Sequence, residues 1–280
     1  MNLVYVSAGL LVVLLLALQA LKYFDNRNAE GTWQRLAGLA GSSPQSFTPE
    51  MVENLPDPAR RYFLFTINPG TPLRTVAEIK MSGEIGLGSK EKPNYMPMEA
   101  RQILAPPYGL VWRSNAGSGF MQMAGSDGYM KDRAWTRFWL LHTLPIVRAG
   151  GTPDYIRASL GRVVAEAVAW APAALLPQNG VVWQAVAKNR AKAIIEHNGI
   201  RQELEITVAE DGMPLSMVIP RWSNANPEKK WRLQPFGGTL SEFKTFDGFN
   251  IATRLEGGNY FGTDDYFPFY RTKVEGIHFL

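Results

Sequence analysis

Hydrophobic residues recur along this chain in three rhythms, and each predicts a different kind of element. From Leu3 to Leu21 the sequence runs through Leu, Val and Ala, with Ser7, Gly9 and Gln19 as its polar or small breaks. At 1.5 Å rise per residue, a helix of about 19 residues spans roughly the ~30 Å hydrocarbon core of a bilayer. Such a helix satisfies its own backbone groups and so crosses alone. Tyr5 near one end and Lys22 with Tyr23 at the other have the character of interfacial anchors. A cleaved signal peptide is the competing reading. It fits less well, because no Lys or Arg precedes the apolar run and no A-x-A-like site follows it.

The second rhythm has a period of two. From Leu73 onward, Val76, Glu78, Lys80 and Ser82 alternate against Ala77, Ile79 and Met81. Similar runs predict strands at Tyr95–Leu104, Leu110–Arg113, Phe120–Ala124 and Tyr129–Trp139, with Gly125-Ser126-Asp127-Gly128 read as a hairpin turn. A second series follows at Val181–Val186, Ala191–His197, Arg201–Val208, Leu215–Trp222, Leu233–Phe246, Phe249–Leu255 and Tyr266–Phe279. Asn198-Gly199 and Asp247-Gly248 between such runs are strong hairpin signals.

The third rhythm is helical. Thr152 is an N-cap, Pro153 sits at the first helical position, and Asp154 complements the positive end of the helix dipole. Ile156, Leu160, Val163, Val164 and Ala167 then form one apolar stripe that ends before Pro172. Shorter helices are expected after Thr48-Pro49 and over Ala59–Phe63. The expected fold is therefore α+β and mostly β. A curved antiparallel sheet, a half-barrel of about ten strands, packs on a central helix and is preceded by one transmembrane helix. Residues 1–24 are the anchor, 25–48 a Gly/Ser-rich linker broken by Pro44 with one helical turn around Trp33–Leu39, and 49–280 one β-rich globular domain.

Composition adds little to this and excludes more. The net charge of +4 comes from scattered Lys and Arg without a basic stripe, which argues against nucleic acid as a partner. The chain has no Cys, and its three His residues lack ligand spacing, so no metal or cofactor is expected. No G-x-S-x-G elbow, H-E-x-x-H, P-loop or G-x-G-x-x-G occurs. Asp264-Asp265 do not make a carboxylate pair, since neighbours on a strand point to opposite faces, and a solvated loop near Gly262 is the better reading.

Two constellations remain. Arg162 and Glu166, at i and i+4 on the central helix, make either a surface ion pair or a charged group at the rim of a cavity between helix and sheet. Aromatic and Met residues crowd the first half of the sheet. If one helix does not fill the concave face, the remaining space is an apolar pocket for a lipid or acyl chain. The candidate ligand-binding residues are Trp112, Trp135, Trp139, Arg162, Glu166 and Trp170. A membrane-tethered hydrolase using Glu166 and Arg162 is the alternative, and a scaffold without ligand a third.

Four stretches carry a resemblance. Leu55-Pro56-Asp57-Pro58-Ala59-Arg60-Arg61-Tyr62-Phe63 resembles the L-P-x-P-x-R-R-Y-F opening of an uncharacterised bacterial family, a domain of unknown function. Glu166–Pro177, Val181-Val182-Trp183 and Leu240–Ile251 follow in the same order. The resemblance covers roughly residues 50–280 and brings no established activity. The closing strand, Asp-Gly turn and strand are similar to lipoprotein-carrier half-barrels, which hold acyl chains between a curved sheet and plugging helices. That likeness is one of fold. It implies an extracytoplasmic domain, whereas Lys22, Arg27 and Arg35 after the anchor favour the cytoplasmic side. The extracytoplasmic side is the expectation taken here.

The anchor reading has a direct test. Deleting residues 1–24 is expected to release a soluble, folded domain, because the apolar run meets lipid and not the core. Sedimentation of the truncated protein with membranes after a high-salt wash would show that the attachment lies elsewhere.

Overall fold

Residues 2–41 and 45–280 are described by the structure, a computed structural model. The chain opens with helix α1 (Asn2–Ala37) and, after a short 3₁₀ turn, helix α2 (Asp57–Thr66). A first meander follows: β1 (Ala77–Gly86), β2 (Tyr95–Ala105), β3 (Gly109–Ala116), β4 (Met123–Met130), β5 (Arg133–Leu140) and β6 (Leu144–Gly150). Helix α3 (Pro153–Trp170) leads to a second: β7 (Val182–Ala187), β8 (Arg190–His197), β9 (Ile200–Val208), β10 (Pro214–Ser223), β11 (Arg232–Phe246), β12 (Phe249–Asn259) and β13 (Phe267–Phe279).

All thirteen strands form one antiparallel sheet in the order β6-β5-β4-β3-β2-β1-β13-β12-β11-β10-β9-β8-β7. The two meanders therefore join where β13 returns to β1, with Ile79 opposite Ile277. The sheet must be strongly curled. Asp127 of β4 and Arg221 of β10 line one small cavity, yet seven strand spacings separate β4 from β10. At ~4.8 Å per spacing a flat sheet would hold them more than 30 Å apart.

Alternation gives this sheet two apolar faces. On the concave face, Met81, Leu104, Trp112, Leu204, Ile206 and Ile219 meet the buried stripe of α3. The Thr152 hydroxyl accepts from the Tyr155 N–H, so the expected N-cap is in place. Helix α2 completes the plug: Tyr62 donates to the Val168 carbonyl at 3.0 Å, and the Phe63 and Trp183 rings pack edge to face.

The outer face carries a smaller cluster, Val76, Ile103, Ala105 and Val111, and the end of α1 covers it with Ala29, Trp33 and Leu36. The anchoring contact is Asp25, 5% exposed. It takes Arg148 in a two-pronged pair at 2.5 and 3.0 Å, Arg137 at 3.0 Å and the Trp139 indole N–H at 3.3 Å. Further along, Arg113 meets Glu30 at 2.9 Å and Trp33 donates to Glu78 at 2.7 Å.

The structure corrects three expectations. The stretch 25–48 is not a linker throughout, because α1 runs on to Ala37. Its Asp25, Ala29, Trp33 and Leu36 recur at helical spacing and face the sheet. The expected break at Pro44 lies outside the described residues. Gly125–Gly128 is not a turn either: it lies inside β4, and the chain reverses at Lys131-Asp132. The glycines answer to packing, since a Cβ on Gly128 would fall 2.1 Å from the Trp135 ring. Moving the reversal leaves two strands there, as expected, and the strand with no counterpart in the expectation is β6. That edge strand reads Leu-Pro-Ile-Val without alternation and exposes both faces.

Leu160 is fully buried between α3 and the sheet. Leu160→Ala is expected to destabilise the domain by roughly 2–5 kcal/mol, read from chemical denaturation. An unresolvable change in midpoint would place that face of α3 in solvent.

Candidate ligand-binding site

Where α3 crosses the concave face, packing is incomplete and a cavity of about 150 Å³ remains. One part of its wall is apolar: Ile85, Met217, Phe236, Leu255 and Phe269. The other is ionic: Asp127 from β4, Arg162 and Glu166 from α3, and Arg221 from β10, with Tyr270 of β13 beside them. Each strand residue in this group occupies an inward position of its strand. Asp127 shares a face with Met123 and Tyr129, and Arg221 with Met217 and Ile219.

Arg162 organises the ionic wall. Its Nε donates to Glu166 at 2.6 Å and its Nη1 to Asp127 at 3.0 Å, and its guanidinium lies 5.5 Å from the centre of the Trp112 ring. Burial disfavours this cation, but Glu166 and Asp127 outweigh that and hold Arg162 above the usual arginine range. Glu166, 8% exposed, takes its second donor from Gln102, which is fully buried on β2, at 2.5 Å. Burial, with Glu166 next, pushes the Tyr270 hydroxyl up from its ordinary range.

Arg221 is different. It makes no ion pair among the described residues, and its closest defined contact is with the Phe236 ring, 4.5 Å from guanidinium carbon to centroid. Burial first, and Arg162 second, pull it down to about 10, so it is a cation at neutral pH. Its Nε has no hydrogen-bond partner among the described residues. The same is true of Trp112 Nε1, Asp127 Oδ1 and Gln102 Oε1. Buried polar atoms without partners are rare in native proteins. Here four converge on one cavity and its immediate wall.

The sequence-derived candidates divide accordingly. Trp112, Arg162, Glu166 and Trp170 come together at the cavity, where Trp170 also donates to the Ala252 carbonyl at 3.2 Å. Trp135 and Trp139 do not. They sit at odd positions of β5, opposite in facing to Thr136, the partner of Asp127, and so lie on the outer face. Trp135 donates to Ser126 and Trp139 to Asp25. The Arg162–Glu166 pair is not a solvated surface pair. The pocket is not purely apolar either. Sequence reasoning passed over Gln102, Asp127, Arg221 and Tyr270, although polar residues at inward strand positions were the signal to find the first three.

The lining contains no Ser, Thr, Cys, Lys or His, and both carboxylates are committed to Arg162. Glu166→Gln keeps the shape but weakens the hold on Arg162. It is expected to cost about 1–3 kcal/mol of stability, more than the ~1 kcal/mol upper end for an exposed pair. A smaller shift of the unfolding midpoint would mean that water already screens the pair.

The L-P-x-P-x-R-R-Y-F stretch proves architectural. Asp57 holds Arg61 at 2.7 Å, and Arg61 in turn donates to the Lys188 carbonyl at 3.0 Å and to the Ala209 carbonyl, which docks α2 on the second meander. Among solved structures, a LolA superfamily protein from Nitrosomonas europaea is similar at 6% identity and a TM-score of 0.42, over 80% of this chain and 92% of that one. A domain described as an outer membrane lipoprotein-sorting protein, from Vibrio parahaemolyticus, is similar at 9% identity and a TM-score of 0.38, over 82% and 91%. A DUF1329 family protein from Desulfovibrio piger follows at 10% identity and a TM-score of 0.28, over 80% and 90%. No curated protein matches the chain. The profile of one family matches residues 45–272, nearly all of the globular part, and the chain accordingly belongs to the family of unknown function DUF6544.

Proposed function

We propose that this protein is a membrane-tethered binding module for an amphiphile whose anionic end enters the cavity beneath α3. The observation that carries the reading is Arg221, a cation lining a partly apolar cavity with no ion pair of its own and no partner for its Nε among the described residues. An incoming carboxylate or phosphate would pair with it and satisfy its Nε. Asp127 and Glu166 are balanced by Arg162 and Arg221 together, and both are held by Arg162, which leaves the Arg221 guanidinium free to donate to an incoming anion. Ile85, Phe236 and Phe269 then receive the first part of an apolar chain.

Volume limits what is enclosed. About 150 Å³ is the share of roughly five water molecules at ~30 Å³ each. Sites that enclose drug-sized ligands run to ~300–1,000 Å³. The cavity therefore takes the polar end and the first few carbons, and a longer chain continues beyond its mouth. Tethering rests on α1, which is long and apolar enough to cross a membrane and whose apolar window is wholly unburied by the rest of the chain.

The test uses the full chain in nanodiscs and three probes with one tail and different heads: dodecanoate, dodecanol and dodecyltrimethylammonium. Dodecanoate is expected to bind most tightly. Arg221→Met should weaken it by about 10–100-fold, the equivalent of a charge-assisted hydrogen bond worth ~1.5–3 kcal/mol. Dodecanol should change little. Equal affinities for the three heads, or an unchanged dodecanoate affinity in the variant, would rule out an anion site at Arg221.

A further inference from the structure

A second surface is left over by the reading above, on the outer half of the first meander. The β3–β4 connection leaves Phe120 88% and Met121 53% exposed. The β5–β6 hairpin exposes Leu141, Leu144, Ile146 and Val147. The two tips touch, since the Leu141 N–H donates to the Gln122 carbonyl at 2.9 Å. Neither 117–122 nor 141–147 contains an Asp or Glu. Contiguous exposed apolar tips of this kind mark an interaction surface.

Helix α1 shows where that surface stands. Its contacts step along the sheet in order. Trp33 meets Glu78 on β1, Glu30 meets Arg113 on β3, Asp25 meets Trp139 on β5, and the Lys22 ammonium reaches the His142 carbonyl at 3.0 Å. Moving from Trp139 to His142 toward the hairpin tip is thus moving from Asp25 to Lys22 toward the apolar run. Lys22 ends that run, so it stands at the hydrocarbon edge of any bilayer that α1 crosses. The adjoining Tyr23 and Phe24 are exposed, as interfacial aromatics are. With Asp25 clamped by Arg137 and Arg148, the tips are held at this level.

We infer that the Gly119–Met121 and Leu141–Ile146 tips insert into the same bilayer that α1 spans, so that the domain is docked flat against the lipid surface at two further points. The inference rests on the anchoring reading of α1 and is independent of the ligand proposed for the cavity. Apolar side chains on such tips reach about 5–10 Å into the headgroup and acyl boundary. They would hold the 13-stranded sheet in one orientation over the membrane. A single flexible tether leaves the domain free to tumble.

The chain has no cysteine, so single-Cys variants carry one environment-sensitive label each. Four are needed: Phe120→Cys and Leu144→Cys on the tips, Val12→Cys in the anchor, and Asp132→Cys on the turn at the far end of β4 and β5. The full chain is reconstituted in phosphatidylcholine–phosphatidylglycerol vesicles, with and without lipids brominated at a shallow or a deep acyl position. Labels at 120 and 144 are expected to shift to the blue and to lose emission to shallow bromines. The label at 132 should do neither, and the label at 12 should respond to deep bromines. If 120 and 144 behave like 132 while 12 is quenched, the anchor stands and the docking inference falls. If 12 is not quenched, the anchoring reading itself has failed and takes the inference with it. Labels at 120 and 144 that are shielded from water yet not quenched by brominated lipid would assign the tips to a protein surface, and would also overturn the inference. Circular dichroism of each labelled variant confirms that it is folded.

Discussion

The packing of α3 into the concave face is the constraint on which the rest of this structure depends. A sheet of thirteen strands has far more inward surface than its own side chains cover, and curling brings its two halves around whatever fills the centre. The filler is an 18-residue helix with Leu160, Val163, Val164, Ala167 and Val168 buried, assisted by Tyr62 and Phe63 of α2. Much of α3 is Ala, Val and Gly. Gly161 lets the helix approach the sheet closely, and a Cβ there would come within 3.1 Å of both Gln202 and Ile219. Small residues bring backbones near, but they fill little volume. The gap opens where the helix turns its long polar residues, Arg162 and Glu166, toward the sheet.

That placement explains why an ionic cluster lies under a helix in a mostly apolar core. Buried ion pairs are weak evidence of stability, because desolvation offsets much of the attraction. Arg162 is well served by two carboxylates, so without Arg221 the cluster would carry one net negative charge. Adding Arg221 brings the four charges to zero, yet gives that arginine no ion pair of its own and leaves its Nε without a partner among the described residues. Arg221 thus balances the excess carboxylate charge while its own donors stay uncommitted, and the binding role proposed above rests on those free donors.

How far the sequence spoke depended on how many residues carried each signal. The helix α3 was legible from its cap, its proline and its stripe together, and the Asn198-Gly199 and Asp247-Gly248 turns from residues that tolerate positive φ at 50° and 48° before Gly. Where a signal was single it misled. Gly125 and Gly128 looked like turn residues and are instead gaps for Arg137 and Trp135. The β6 strand had no alternation to read because neither face is buried. The same loss of parity misplaced Trp135 and Trp139: without the true reversal at Lys131-Asp132, nothing assigns them to the face of Asp25 rather than that of Trp112. Arg221 was visible only as an arginine two residues after Ile219 on an inward register, and that register is set by pairing with β11.

The two faces of the sheet do separate work and are tied through the same strands. Trp112 and Asp127 look into the cavity, while their neighbours Arg113 and Ser126 look toward α1. The strand ends continue the link. In adjoining antiparallel strands the ends at Gly86, Ala116, Leu140 and Phe267 fall on one side of the sheet, so Ile85 and Phe269 line the cavity at the end that also carries the Phe120 and Leu141 tips. Helix α1 fixes that same end beside Lys22 through Asp25. The apolar wall of the cavity and the apolar tips thus share one edge of the sheet, and Arg221, two residues beyond Ile219 in the row of Phe236 and Phe267, belongs to that edge as well. An amphiphile of the kind proposed above, entering at this edge, would meet Ile85 and Phe269 for its chain and Arg221 for its anionic end.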